Sequence, residues 1–490
     1  MNRKIIIYLI GKLLLVEALL LLAPLFVSLI YQEDWKYISA YLMTIGLLLS
    51  LSCIMSLKNP KGITLRARDG AVIVALGWIL LAFFGGLPFV FSGDIPSLVD
   101  AFFETASGFT TTGSSILTTL APLSKSNLFW RSFTHLIGGM GVLVFTLAIL
   151  PDSKADSAQL LRAEVPGPVF GKLVSKLSDT ARILYAIYLS LTLILILILV
   201  LGGVPLYDSM LLSFGTAGTG GFAINDAGFS IYANPAFVEY VIGIGMLIFG
   251  INFNLFFLMM IGYAKAAFKD EELHYYLGIV IIAILLITLS LAPNWATLEE
   301  TFRHVLFTVA SIVTTTGYAT ANFGEWTLFA QVIVLILMFI GGCAGSTAGG
   351  MKVSRIVMYI KEAVSEMKRL GHSNRIVTTK FNGKALRKSD STKVSNYLQI
   401  YLLTFILLLI CVSIEAPDFL TAFSSVAATF NNIGPGLAAV GPISNFAFYS
   451  DMTKIILSLS MIAGRLEIYP IIILLAPSTL KKLFKGNKAH

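Results

Sequence analysis

Apolar residues come in long blocks along this chain, and polar residues collect between them. A helix needs about 20 mainly apolar residues to cross a bilayer. Blocks of that kind fall at roughly 5–30, 36–57, 71–91, 129–150, 181–203, 236–262, 275–292, 327–361, 396–415 and 452–476. The pattern predicts an all-α integral membrane protein with ten transmembrane helices. The first block is too long for a signal-peptide core, and no small-residue cleavage site follows it, so a retained first helix is expected. Lys12 and Glu17 interrupt that block; snorkelling and packing against a neighbouring helix account for them.

Four of the connections do not read as plain turns. The segments 92–128, 204–235, 293–326 and 416–451 are long, partly apolar and rich in Gly, Thr and Ser. Each has the length of a half-helix that enters the membrane and turns back. Non-helical backbone at that depth is tolerated only where it is buried in protein or lines a water-filled cavity. Aligned on one glycine each, the segments repeat. The glycines are Gly113, Gly221, Gly317 and Gly434. Two residues earlier stand Thr111, Thr219, Thr315 and Asn432; six earlier, the small residues Ser107, Gly215, Ser311 and Ala428. Eleven earlier stand Phe102, Met210, Leu306 and Phe423. The spacing is about 100 residues, a repeat of one structural unit. Four span–pore-helix–span repeats around a pseudo-fourfold pore follow an extra N-terminal helix pair. The expected organisation is 1–65 for the pair, then 66–155, 156–268, 269–392 and 393–490 for the repeats.

Such units suit a cation. A helix C-terminus carries about half a negative charge, and four of them aimed at one axis make a well. Carbonyls of the following Thr- and Gly-rich stretch can replace an ion's hydration shell, and glycine permits φ values that a Cβ forbids. The candidate filter is Thr110, Thr111, Thr112 and Gly113; Gly218, Thr219, Gly220 and Gly221; Thr314, Thr315, Thr316 and Gly317; and Asn431, Asn432, Ile433 and Gly434. Ordinary turns, being short and polar, would not share the small and large positions upstream.

The eighth block carries Gly341, Gly342, Gly345, Gly349 and Gly350 around Ser346 and Thr347. An interior glycine costs a helix about 1 kcal/mol, so this block should break at membrane depth. One reading is a movable loop below the filter, with Gly345, Ser346, Thr347, Ala348 and Gly349 as the gate; the other is small-residue helix packing. Arg465 lies within the tenth block, where a charge is a functional candidate by default. It either faces the pore, repelling cations or bonding the carbonyls of 343–350, or pairs with a carboxylate of another span. Glu17 and Glu467 are the mid-span acids. Asp100, Asp208, Glu300 and Asp418 fall where they would cap the half-helices.

Composition and charge agree. Hydrophobic residues are 56% of the 490 and charged residues 13%, against about 25% charged in ordinary globular domains. That excludes a cytosolic enzyme, a secreted domain and a disordered chain, and makes the lipid bilayer the surroundings. The net charge of +8 comes from Lys and Arg between the blocks, without the interleaved aromatics of a nucleic-acid surface. Lys58, Lys61, Arg66, Arg68, Lys154, Arg162, Lys172, Lys176, Arg182, the run from Lys352 to Lys393, and Lys481 to Lys488 all fall on one side. By the positive-inside rule both termini are cytoplasmic. Cys53, Cys343 and Cys411 form no motif and are expected to be small buried hydrophobes. No nucleophile–base motif, metal-ligand spacing or nucleotide-binding glycine motif is present, so neither an enzyme nor an organic cofactor is expected.

The filter glycines, the segment Gly341 to Arg355 and the run Gly464, Arg465, Leu466, Glu467 together resemble the Trk/Ktr/HKT superfamily of potassium transporters. The resemblance covers essentially the whole chain and lies nearest the Trk-type membrane subunit. It implies a homodimer in the cytoplasmic membrane and K⁺ as the ion carried. It also implies an intramembrane loop gate and a cytoplasmic nucleotide-binding regulatory subunit docked on the basic segment after residue 350. In Na⁺-favouring relatives the first filter glycine is commonly serine; Gly113 favours K⁺. The alternative class is a secondary transporter coupling K⁺ to H⁺ or Na⁺.

Overall fold

A computed structural model describes residues 1–57, 66–141, 177–292, 297–371 and 378–484. The far end of the fourth block, the boundaries at 65 and 155, and Lys58, Lys61, Lys154, Arg162, Lys172, Lys176, Arg375, Lys485 and Lys488 lie outside these residues. Among the described residues the fold is helical apart from one small hairpin, Lys380–Phe381 with Lys384–Ala385.

Six helices are long and apolar enough to cross a membrane: Arg3–Ile30, Trp35–Ser56, Ala67–Ser92, Thr180–Leu201, Glu271–Leu291 and Ser389–Val412. Their outward faces carry rows of large apolar side chains, such as Leu193, Leu197 and Leu201, or Ile281, Leu285 and Leu289. Water would not tolerate such rows; lipid does. The ten blocks do not become ten unbroken helices. Pro235–Phe249 and Phe253–Met260 form one pair bent by 89°. The eighth block breaks as its glycines require, into Leu328–Ile340 and Val353–Gly371. The tenth breaks too, after Asp451–Arg465, with Glu467 and Ile468 at φ 55° and 71° before Tyr469–Leu475.

Hydropathy alone reads the sixth and tenth blocks as continuous. The breaks fall at residues 250–252 and 466–468, each with one polar residue, Asn252 or Glu467, among apolar ones, so hydropathy hides the interruption. The first two helices pack on each other, with Gly11 against Met55; the first also packs on Ala67–Gly85 and the second on Leu87–Ser92. Cys343 is buried as expected, but Cys53 is exposed and Cys411 half-buried. Both sit on lipid-facing helices, where a small apolar thiol needs no protein cover.

Four shorter helices lie between the long ones: Leu98–Phe109, Leu206–Gly218, Leu298–Val313 and Phe419–Phe430. They are the half-helices read from the sequence. Three N-caps differ from expectation. Ser97 and Thr297 accept from the backbone of Asp100 and Glu300 three residues on, and Pro205 makes no side-chain cap. Only Asp418 is itself a cap, accepting from Thr421 N. The other acids occupy the third helical position, where they still complement the dipole.

Candidate functional site

The four half-helices end alike. Thr111, Thr219, Thr315 and Asn432 have φ of 55°, 58°, 56° and 57°. One residue further, the N–H groups of Thr112, Gly220, Thr316 and Ile433 reach back to Ser107, Gly215, Ser311 and Ala428 O at 2.8, 2.9, 2.8 and 2.8 Å. This is the Schellman closure of a helix C-terminus, with the left-handed residue at C′. It explains the shared small position: its carbonyl must be open to a backbone donor. A β-branched residue in the left-handed region is strained, and three threonines adopt it at equivalent places. Strain repeated at equivalent places makes this the candidate functional site.

Beyond the caps the loops meet. A Cβ on Gly113 would lie 2.1 Å from Gly220 O, and one on Gly221 2.1 Å from Thr316 O. One on Gly317 would lie 2.1 Å from Ile433 O, and one on Gly434 2.8 Å from Thr112 O. Each glycine abuts the carbonyl that precedes the next loop's glycine, and the fourth loop returns to the first. Four separate segments thus form one closed ring, with φ of 84°, 59°, 88° and 107° at its glycines.

Ser114 Oγ donates to Gly434 O at 2.8 Å, and Asn432 Nδ2 to Thr112 Oγ1 at 2.9 Å, tying the first loop to the fourth. Thr110 and Thr314 each pair their hydroxyl with that of Thr112 and Thr316 at 2.7 Å. Tyr401 holds Asn431 Oδ1 at 2.8 Å, and Thr219 Oγ1 bonds Gly218 O at 2.6 Å. Among the described residues the buried Thr111 Oγ1 and Asn432 Oδ1 have no partner, leaving acceptor capacity at the ring.

The broken eighth block runs directly beneath. Gly349 N donates to Thr315 Oγ1 at 2.6 Å, and Gly350 N to Asn431 O at 3.1 Å. Ser346 Oγ turns back to Cys343 O at 2.6 Å, Thr347 Oγ1 reaches Phe249 O at 3.2 Å, and Ala348 is fully buried. Gly345 O accepts from Phe253 N at 3.0 Å, so the bend of the sixth block receives the loop. Of the two sequence readings, the break into an unwound loop is the one adopted.

Arg465, 6% exposed, ends its helix against this loop. Its Nη1 donates to Thr347 O at 2.8 Å, and its Nη2 to Gly138 O and Gly139 O at 2.6 and 2.5 Å. The last two are terminal carbonyls of the helix Lys125–Gly139, where a cation also offsets the dipole. Bonding to loop carbonyls was one of the options the sequence left open. Glu467 pairs with Arg355 at 2.7 Å.

A family profile described as TrkH, cation transport protein, matches residues 43–482. The chain belongs to the TrkH family. It is 37% identical over 486 residues to the Trk system potassium uptake protein TrkH of Vibrio parahaemolyticus, covering 98% of this chain and 99% of that one. It is 35% identical to the TrkH of Escherichia coli K12 at the same coverage, and 31% identical to that organism's Trk system potassium uptake protein TrkG over 96% and 97%. The crystal structure of the potassium transporter TrkH from Vibrio parahaemolyticus superposes with a TM-score of 0.87 at 34% identity, over 98% and 100% of the two chains.

In this TrkH-family chain one buried ion pair escaped the sequence reading. Glu104, inside the first half-helix, lies 2.7 Å from Arg131, and both are buried. Glu104 also accepts from Ser115 Oγ and Ile116 N at 3.0 and 3.1 Å, and Arg131 Nη1 donates to Ala223 O at 3.1 Å. The pair therefore links the first loop just past Gly113 to the second just past Gly221. A cue was available: Glu104 and Arg131 are ionisable residues in segments assigned to membrane depth, each preceded by an aromatic residue.

Proposed function

We propose that this chain is the membrane subunit of a Trk-type potassium uptake system. K⁺ is its substrate and passes through the ring of four loops. The observation that carries the reading is the closed succession of glycine against carbonyl, Gly113 to Gly220, Gly221 to Thr316, Gly317 to Ile433 and Gly434 to Thr112. Carbonyls held by a packed ring can replace a hydration shell at low reorganisation cost, and four helix C-termini supply negative potential where the ion sits. The names of the relatives, Trk system potassium uptake proteins, point to K⁺, and Gly113 fits that preference.

The reading extends to ten spans in four repeats plus an N-terminal pair, both termini cytoplasmic in the inner membrane. The loop 343–350 and Arg465 form the gate beneath the ring. A homodimer and a cytoplasmic nucleotide-binding regulatory subunit complete the system. One observation favours the coupled-transport alternative: Glu17 is fully buried in the first helix, and neither oxygen has a partner among the described residues. Such an acid can carry a proton.

The deciding experiment is ion flux into proteoliposomes under separately imposed K⁺, Na⁺ and pH gradients, for the parent and Gly113→Ser. Expected is K⁺-driven flux without need of a proton gradient, with K⁺ over Na⁺ preference reduced in the variant. Unchanged selectivity and rate in the variant would count against the ring as the filter. Flux that requires the pH gradient would favour coupling.

A further inference from the structure

One carboxylate holds both feet of the intramembrane loop. Glu272 is 4% exposed, in the first turn of the helix Glu271–Leu291. Its Oε1 accepts from Ala344 N at 2.7 Å and from Ser354 N at 3.0 Å. Ala344 precedes the segment Gly345 to Gly349 and Ser354 follows it, so the loop leaves and returns at the same oxygen. A carboxyl oxygen keeps acceptor capacity for both donors in either protonation state. Ala344 and Ser354 are buried, so the two N–H groups have no water to turn to.

The two residues before Glu272 face a different structure. Asp270 Oδ2 accepts from Asn382 Nδ2 at 2.9 Å. Glu271 N donates to Asn382 Oδ1 at 2.7 Å, and Glu271 Oε2 accepts from Asn382 N at 2.8 Å. Lys361 pairs with Glu271, and its Nζ also donates to Lys380 O at 2.9 Å. Asn382 is the turn residue of the hairpin 380–385, at φ 48°. Three consecutive acids thus join a cytoplasmic hairpin to the intramembrane loop through a single helical turn.

We propose that Glu272 is the positioning residue that latches the intramembrane loop shut, and that Asp270 and Glu271 tie this latch to the 380–385 hairpin. Moving the hairpin from the cytoplasmic side then moves the helix start and releases the loop. Hydrogen bonds weaken steeply with misalignment, so a small rotation at residue 271 is enough to loosen both bonds at 272. The inference rests on the reading of 343–350 as a gate, and its test separates the two.

Full-length Glu272→Ala, Glu272→Gln, Asn382→Ala and a deletion of 343–350 would each be reconstituted in proteoliposomes. Rubidium tracer flux and the K⁺ to Na⁺ flux ratio would be measured. Glu272→Ala is expected to raise flux by roughly tenfold or more, about the equivalent of two lost hydrogen bonds, with the ion ratio unchanged. Glu272→Gln keeps an acceptor oxygen and should fall between parent and alanine, a graded rescue that a general packing role would not give. Asn382→Ala should also raise flux, and in the double variant it should add nothing to Glu272→Ala, because both act on one latch.

If the deletion raises flux and Glu272→Ala does not, the latch is wrong and the gate stands. If neither raises flux, the gate reading falls and the latch with it. A changed ion ratio in Glu272→Ala would place its effect at the ring and overturn the proposal. Should that variant fail to fold, Asn382→Ala decides, because it lies outside the spans; parent-like flux there overturns the tie.

Discussion

Removing the Arg465 side chain is the most direct test of how the loop is held. The guanidinium bonds three carbonyls in two elements: Thr347 O in the loop at 2.8 Å, and Gly138 O and Gly139 O at the end of another helix at 2.6 and 2.5 Å. Only the first bond restrains the loop; the other two fix the arginine. A hydrogen bond to a charged group is worth about 1.5–3 kcal/mol. At 1.4 kcal/mol per factor of ten, losing it raises the open fraction roughly 10- to 150-fold, until the open state predominates. On the proposed gate reading, Arg465→Ala also removes a positive charge beside the ion's route, which acts in the same direction. Arg465→Lys separates the two effects. Its single ammonium keeps the charge but lacks the planar fork that reaches three carbonyls. Tracer flux into proteoliposomes should therefore rank alanine above lysine above parent. If lysine equals the parent while alanine rises, the barrier is charge and the tether argument is refuted. If alanine equals the parent in protein that elutes and melts normally, both arguments are refuted.

Replacing the ring glycines by alanine should lower K⁺ uptake unequally. Variants at Gly113, Gly221 and Gly317, where a Cβ would sit 2.1 Å from a carbonyl oxygen, should lose more than Gly434→Ala, where the gap is 2.8 Å; equal losses would refute the ranking. Glu104→Gln leaves Arg131 buried without its charge partner and should cost about 3–5 kcal/mol, read as a lower denaturation midpoint in detergent. At the start of the helix Phe419–Phe430, hydrogen bonds from Thr421 hold the Asp418 carboxyl below the ordinary aspartate value. Its stabilisation is then complete above that ordinary value and lost only as pH falls through the lower folded one. Acidifying from pH 7 to about 5 should leave this cap intact, whereas Asp418→Ala should cost about 1 kcal/mol at any pH in that range. Melting curves across that range check both statements.

The sequence made the ring legible because a period exposes what one segment hides. A lone Thr-Thr-Thr-Gly is unremarkable, but four glycines with matched small residues six positions back define a unit. The pattern could not say why the small residue was needed; the backbone bond closing each half-helix supplies that reason. The break near Gly345 was visible because five glycines sit within ten residues. The breaks at 250–252 and 466–468 were not, because each holds a single polar residue, Asn252 or Glu467, and a hydropathy window averages across it. The pairing of Glu104 with Arg131 was hidden for a different reason. It joins two helices 27 positions apart, and only packing brings such residues together.

The ring is nearly fourfold in backbone and far from fourfold in side chains, and that difference has a physical use. Four identical chains around an axis must place identical groups in every quadrant. A single chain need not. Here the cap geometry recurs at Thr111, Thr219, Thr315 and Asn432, while among the described residues the glycine-rich loop against the ring comes from the third quadrant. That loop touches unlike neighbours: Thr315 Oγ1 of its own quadrant, Asn431 O of the fourth, Phe249 O of the second, and Arg465 from the fourth. Of these contacts Thr315 and Asn431 also belong to the proposed filter, whereas Arg465 lies outside the caps that shape the ring. On the proposed reading, substituting Arg465 should loosen the loop and leave the ion preference unchanged, and an Arg465 variant that changes both at once would contradict that division.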